Sequence, residues 1–190
     1  MEWSILFAGP VGAGKTQAIR TASDIEVVST EAEATDETAL LKANTTVAMD
    51  MGVVNLDGGD RIRLLGAPGQ SRFDFMWEIL LGQSRGLVLL IDHSRPSALE
   101  DLRYYAEQMC SGPYARMPFV VGVTHMDEAM NSDLRPYRDM LREQVRSGPV
   151  PVMEVDARDR RDVRALLLAL TSMLEMAVRV PLRGESRQAA

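Results

Sequence analysis

A chain of 190 residues that is 46% hydrophobic and 25% charged has the size and composition of one soluble globular domain. Its formal charge of −6 argues against nucleic acid and against a purely electrostatic membrane anchor. The single cysteine, Cys110, excludes an internal disulfide, favours a reducing compartment and reads as a buried small hydrophobe.

No apolar run approaches the ~20 residues of a membrane span. The opening "MEWSILFAGP" has no basic region before its apolar run, Glu2 stands where a myristoylation glycine would, and the tail "RGESRQAA" has no cysteine to prenylate. These features predict a cytoplasmic protein without a lipid anchor.

In chain order, Trp3 to Gly9 reads as a buried strand, and "GKTQAIRTA" as a helix entered through a glycine-rich loop. The polar stretch that follows reads as mostly loop, with a short strand at Ile25 to Val28. "TVAMDMGVVNL" and "RIRLLG" flank "DGGD", a hairpin in which Asp57-Gly58-Gly59 supply the positive φ angles. "RFDFMWEILLGQS" is helical in pattern, "GLVLLID" a central strand, "ALEDLRYYAEQMC" a helix and "MPFVVGVT" a second central strand. "RPYRDMLREQVRS" is a helix stopped by Gly148-Pro149, "VPVMEVDA" a strand and "RDVRALLLALTSMLEMAV" the last helix. Continuous apolar strands alternating with helices predict an α/β fold with both sheet faces covered. The sheet is mostly parallel, of about six strands, with one antiparallel hairpin strand. The domain is placed at 1–180, with 181–190 as a disordered tail.

"GPVGAGKT", Gly9 to Thr16, matches G-x-x-x-x-G-K-[ST] in full and sits between a strand and a helix. This is the phosphate loop of a P-loop NTPase. Gly9, Gly12, Ala13 and Gly14 let backbone N–H groups turn around a phosphate, and the helix start through Gln17 adds its positive dipole end. Lys15 reaches the β- and γ-phosphates, and Thr16 offers its hydroxyl to Mg²⁺.

The base is read after the penultimate strand, in "VVGVTHMDE". Asp127, three residues past Thr124, can accept from the N1–H and exocyclic amine of guanine; adenine offers no such donor pair. As a bare motif T-x-x-D is also a helix cap.

"GPVGAGKT", "TTVAMDMG", "GAPGQSRF", "THMD" and "VDAR" stand in the order of the five nucleotide motifs of Ras-like small GTPases, and the chain resembles their prokaryotic MglA-like and Rab/Arf-like branch from about Gly9 to Arg158. The resemblance implies a slow GTPase switch that binds GTP or GDP with Mg²⁺. It assigns Thr46 (with Thr45 as a rival) to Mg²⁺, the Gly69 N–H to the γ-phosphate and Gln70 to orienting the attacking water. It gives His125 a place against the base, the Ala157 N–H to the guanine carbonyl and Arg158 to the ring face. It also implies a roadblock/LC7-type regulator reading the segment around Phe73, Phe75, Met76, Trp77, Ile79, Leu80 and Leu81, part of which should lie outside the buried stripe. Arg72 or Arg85 is a candidate in-cis arginine finger.

One position departs from the pattern. Gly66 stands where the family carries an aspartate that contacts Mg²⁺ through water. Its loss should weaken metal binding without abolishing it, and a Gly66→Asp change is expected to raise magnesium affinity. Asp92, at the end of "GLVLLID", is a candidate substitute carboxylate. Two alternatives remain: a nucleotide-binding scaffold without useful turnover, and a P-loop kinase or ATPase, for which no arginine-rich lid or acceptor site is visible.

Overall fold

The computed structural model describes residues 2–29, 49–68, 74–128, 132–146 and 148–179. Four consecutive apolar residues, Ile5 to Ala8, are all fully buried, and they put β1 (Glu2–Ala8) in the middle of a sheet. Side chains alternate across a strand. Leu6 and Ala8 therefore enter the core on one face, and Ile5 and Phe7 the core on the other. The same logic holds for β5 (Gly86–Asp92), buried at all seven positions, and β6 (Phe119–Thr124), buried at all six.

The remaining strands are β2 (Val28–Ser29), β3 (Asp50–Asn55), β4 (Arg61–Gly66) and β7 (Val152–Glu154). The sheet has seven strands in the order β2-β3-β4-β1-β5-β6-β7. β1 pairs in parallel with β4 and β5, and β5-β6-β7 continue in parallel. β3 is antiparallel to both β2 and β4. The α/β, mostly parallel P-loop architecture with one antiparallel hairpin strand is as the sequence predicts. The short strand falls at Val28–Ser29 and not at Ile25 to Val28. In the hairpin turn Gly58 and Gly59 adopt φ near +90°, and Asp57 does not join them.

Helices cover both faces. On one lie α1 (Lys15–Ala22) and α5 (Arg160–Arg179), whose Ile19, Val163, Leu166 and Leu170 pack on Ile5, Phe7 and Val88. On the other lie α2 (Asp74–Gly82), α3 (Ala98–Cys110) and α4 (Arg135–Gln144), through Leu80, Leu81, Leu102, Met109 and Leu141. Each buried Leu or Ile contributes about 1.5–3 kcal/mol. On α2, Trp77 packs against the core and its ring lies 5.5 Å from that of Tyr105, whereas Ile79 is exposed. Cys110 corrects an expectation: it is exposed at the end of α3, its Sγ 3.7 Å from the Gln144 carbonyl oxygen.

Thr45, Thr46, Gly69, Gln70, Arg72, Phe73 and the 181–190 tail lie outside the described residues, as do the side chains of Phe75 and Met76. Among the described residues no helix is long and apolar enough to cross a membrane.

Candidate functional site: a phosphate loop ringed by carboxylates

Where β1 stops, the chain must turn without side chains. Gly9 has φ +136°, and a Cβ there would sit 2.0 Å from the Leu90 carbonyl oxygen, so a larger residue has neither the conformation nor the room. The loop closes with the Ala13 N–H donating to Pro10 O at 3.3 Å and the Ala18 N–H to Gly14 O at 2.8 Å. No side chain caps the start of α1, which leaves its first-turn amides for an anion.

Lys15 opens α1 and curls back into the loop. Its Nζ donates to Gly9 O at 2.8 Å and Pro10 O at 2.7 Å. Burial pulls its pKa down from 10.5 to about 8, against the nearby Asp50 carboxylate, which pulls it up. The cation is thus desolvated and held in place before any phosphate arrives.

Thr16 donates its hydroxyl proton to Asp50 Oδ2. Asp50 opens β3, lies across from Gly66 on β4, and Gly66 in turn lies beside Phe7 of β1. A carboxylate therefore does stand at Thr16, brought from a residue 34 positions away. Sequence reasoning missed it. The position at Gly66 is filled: a Cβ there would meet Ile19 Cδ1 at 2.9 Å and Asp50 Cβ at 3.1 Å. Asp92, the substitute proposed from sequence, is not joined to Thr16. It is buried, and its Oδ1 accepts from the Ser94 N–H at 3.0 Å and the Ser94 hydroxyl at 2.6 Å.

A hydroxyl and a carboxylate are hard oxygen donors, the kind a magnesium ion takes together with phosphate oxygens and water. Among the described residues no group of three or more His, Cys, Asp or Glu is arranged to hold a metal. A cation here would thus depend on the nucleotide for further ligands.

The "THMD" and "VDAR" segments reach the same loop from β6 and β7. Thr124 is buried, with Oγ1 3.3 Å from Ala13 O and 3.2 Å from Ile91 O, so it braces the loop from beneath. His125 takes the left-handed conformation, φ +56°, and its Nε2 lies 3.3 Å from Gly12 O. The ring thus ties the loop to β6. Ala157 is buried on the loop, its Cβ 3.0 Å from where a Cβ on Gly14 would stand.

Arg158 donates through Nη2 to Asp127 Oδ2 at 3.1 Å, and grips Asp156 through Nε at 2.8 Å and Nη2 at 2.9 Å. That contact holds the Asp156 carboxyl below its usual range and raises the Arg158 guanidinium above its own. Asp127 keeps 63% of its side chain exposed.

Two other sequence assignments fare differently. The Gln17 side chain turns along α1 to Thr21 Oγ1 at 3.0 Å, which leaves its backbone N–H in the first turn as the group that would face a phosphate. Arg85 precedes β5, its N–H bonded to Ser4 O, and so sits at the end of the sheet opposite the phosphate loop, where it cannot serve as an arginine finger. Arg95, not singled out by sequence, donates from Nη1 to Val11 O at 3.0 Å and pairs with Asp101 at 3.4 Å.

A family model described as "conserved hypothetical ATP binding protein" matches residues 7–188. The chain belongs to this family. It is a P-loop NTPase family, distinct from the Ras-like small GTPases, and the chain is accordingly a nucleotide-binding P-loop NTPase. The resemblance to the MglA-like and Rab/Arf-like branch is thereby corrected, and the ground for a roadblock/LC7-type regulator goes with it. The physical reason lies in the fold. Loops after successive strand ends meet one nucleotide in a fixed order, so motif order follows the P-loop architecture and does not by itself single out one branch. No curated protein matches the chain.

Proposed function

We propose that the protein binds and hydrolyses a guanine nucleoside triphosphate with Mg²⁺. The observation that carries this reading is the meeting of Asp127, from the segment after β6, with Ala157 and Arg158, from the segment after β7, beside the phosphate loop. The loop amides and Lys15 take the phosphates. Asp127 accepts from the N1–H and exocyclic amine of guanine. The Ala157 N–H takes the guanine carbonyl, and Arg158, once a base is bound, exchanges its contact with Asp127 for the ring face. Thr16 ligates Mg²⁺, which would neutralise charge on the β- and γ-phosphate oxygens when bound.

β4 ends at Gly66 beside Phe7, just before the phosphate loop. The chain that leaves it carries Gly69 and Gln70, to which we assign the γ-phosphate contact and the orientation of the attacking water. Thr46 keeps its proposed place as a second hydroxyl on the metal.

The family's description favours adenine as a second reading. Against it stands Asp127, whose carboxylate would face adenine without a donor pair and lose its water for nothing, a cost of about 1–3 kcal/mol or more for a charged group. The test is a titration of the purified protein with GTP and with ATP, each with Mg²⁺. A GTP affinity at least tenfold above that for ATP supports the guanine reading; equal affinities, or a preference for ATP, refute it.

A further inference from the structure

The carboxylate that Gly66 withholds is supplied from the neighbouring strand. We propose that Asp50, at the start of antiparallel strand β3, is the positioning carboxylate of the magnesium site, accepting the Thr16 proton while the Thr16 oxygen ligates the metal. This rests on the reading of Thr16 and the phosphate loop given above.

Three observations converge on Asp50. Its Oδ2 accepts from Thr16 Oγ1. A hydroxyl has one proton and two lone pairs, so it can keep that bond and still offer a lone pair to a cation. Accepting the proton makes the oxygen a better ligand, the usual effect of a carboxylate behind a metal-bound group.

The second observation is one of space. Asp50 and Gly66 are register partners across the β3–β4 ladder. A Cβ on residue 66 would lie 3.1 Å from Asp50 Cβ and 3.4 Å from Asp50 Oδ2. A side chain at 66 would thus press on Asp50 Cβ while touching its carboxylate, and this chain puts its carboxylate there from β3. Glycine at 66 is then what the arrangement requires, and not the scar of a lost function.

The third is the alternative's fate. Asp92 Oδ1 is taken up by Ser94, and its Oδ2 lies 3.9 Å from where a Cβ on Gly12 would stand, beside the loop and without a bond to Thr16. The charge of Asp50 also acts on Lys15, which places it beside the group that meets the phosphates.

The experiment uses the full chain and methylanthraniloyl-labelled GDP, with the dissociation constant measured in EDTA and across a magnesium series. Asp50→Asn keeps the shape and removes the charge; Asp50→Ser is the second variant should the first fail to fold. The magnesium concentration at half effect is expected to rise about 10–100-fold in either variant, the range for removing a partner behind a metal ligand. Affinity in EDTA should hold or tighten, because a negative charge has left the neighbourhood of the phosphates. An unchanged magnesium half-effect in a folded variant overturns the assignment. So does an equal loss with and without metal, which a merely structural role would give. If the wild type binds neither labelled GDP nor labelled ADP, the parent reading falls and the assignment with it. If it binds only ADP, the guanine reading alone falls and the same magnesium series is run with ADP.

Discussion

Placing a side chain at Gly66 should damage the protein, although the sequence pattern suggests that an aspartate there would repair it. A Cβ at this position meets Ile19 Cδ1 at 2.9 Å, Asp50 Cβ at 3.1 Å and Asp50 Oδ2 at 3.4 Å. Ile19 is fully buried, and Asp50 is held by strand pairing and by Thr16, so neither can swing away freely. Inserting a methyl into a filled space costs about 1–3 kcal/mol. For a domain of this size each kcal/mol is worth about 2–4 °C in melting temperature. Gly66→Ala should therefore melt about 2–12 °C below wild type.

Gly66→Asp adds a second carboxylate beside Asp50. Two like charges ~4 Å apart repel by about 4 kcal/mol at an effective dielectric near 20. The repulsion raises the folded-state carboxyl pKa above its unfolded value. The folded protein then binds more protons than the unfolded one, and the extra penalty shrinks as pH falls through that raised pKa. Thermal melts of wild type and both variants at pH 7 and pH 4.5 check the chain of reasoning. The gap between Gly66→Asp and Gly66→Ala should be widest at pH 7 and narrow at pH 4.5. A Gly66→Ala protein as stable as wild type would show that the space is open, and would refute the claim that Asp50 fills it.

Lys15 yields two further predictions. With a free-state pKa of about 8, it must regain a proton to meet phosphate above that pH, so nucleotide affinity should be flat below pH 7 and about tenfold weaker at pH 9; calorimetric titrations in matched buffers would show this, and a flat profile would contradict the lowered pKa. Below pH 8 the buried charge is a full penalty on the unliganded fold, relieved between pH 8 and 10.5, so Lys15→Ala should lose nucleotide binding while keeping or raising the melting temperature at pH 7.

The phosphate loop was legible because its function fixes local spacing: glycines where the backbone turns, then Lys15 and Thr16 on the first turn of a helix. The continuous apolar runs of β5 and β6 were equally plain, since a strand covered on both faces has no polar side to show. Asp50 was not legible. Its role depends on the β3–β4 register, which brings residues 50 and 66 face to face, and no local pattern announces that. The substitute carboxylate was sought at Asp92, at the end of parallel strand β5, and not across the antiparallel ladder. Arg95 escaped notice for the same reason, as its contact with Val11 spans 84 residues. His125 was placed against a base because the ring suggests stacking, and its tie to the Gly12 carbonyl, which spans 113 residues, was not legible beside that. Cys110 was read by residue type as buried, but it occupies the exposed end of α3.

The central claim is that Asp127 reads guanine, and a specificity switch tests it most directly. Asp127→Asn exchanges an acceptor for a donor on one side of the carboxyl, which suits the second carbonyl of xanthine and opposes the exocyclic amine of guanine. Each lost charge-assisted hydrogen bond is worth about 1.5–3 kcal/mol. Competition titrations of wild type and Asp127→Asn with GDP and XDP should show GDP affinity falling at least tenfold in the variant and XDP affinity rising above it. Unchanged GDP binding, with no gain for XDP, would contradict the account.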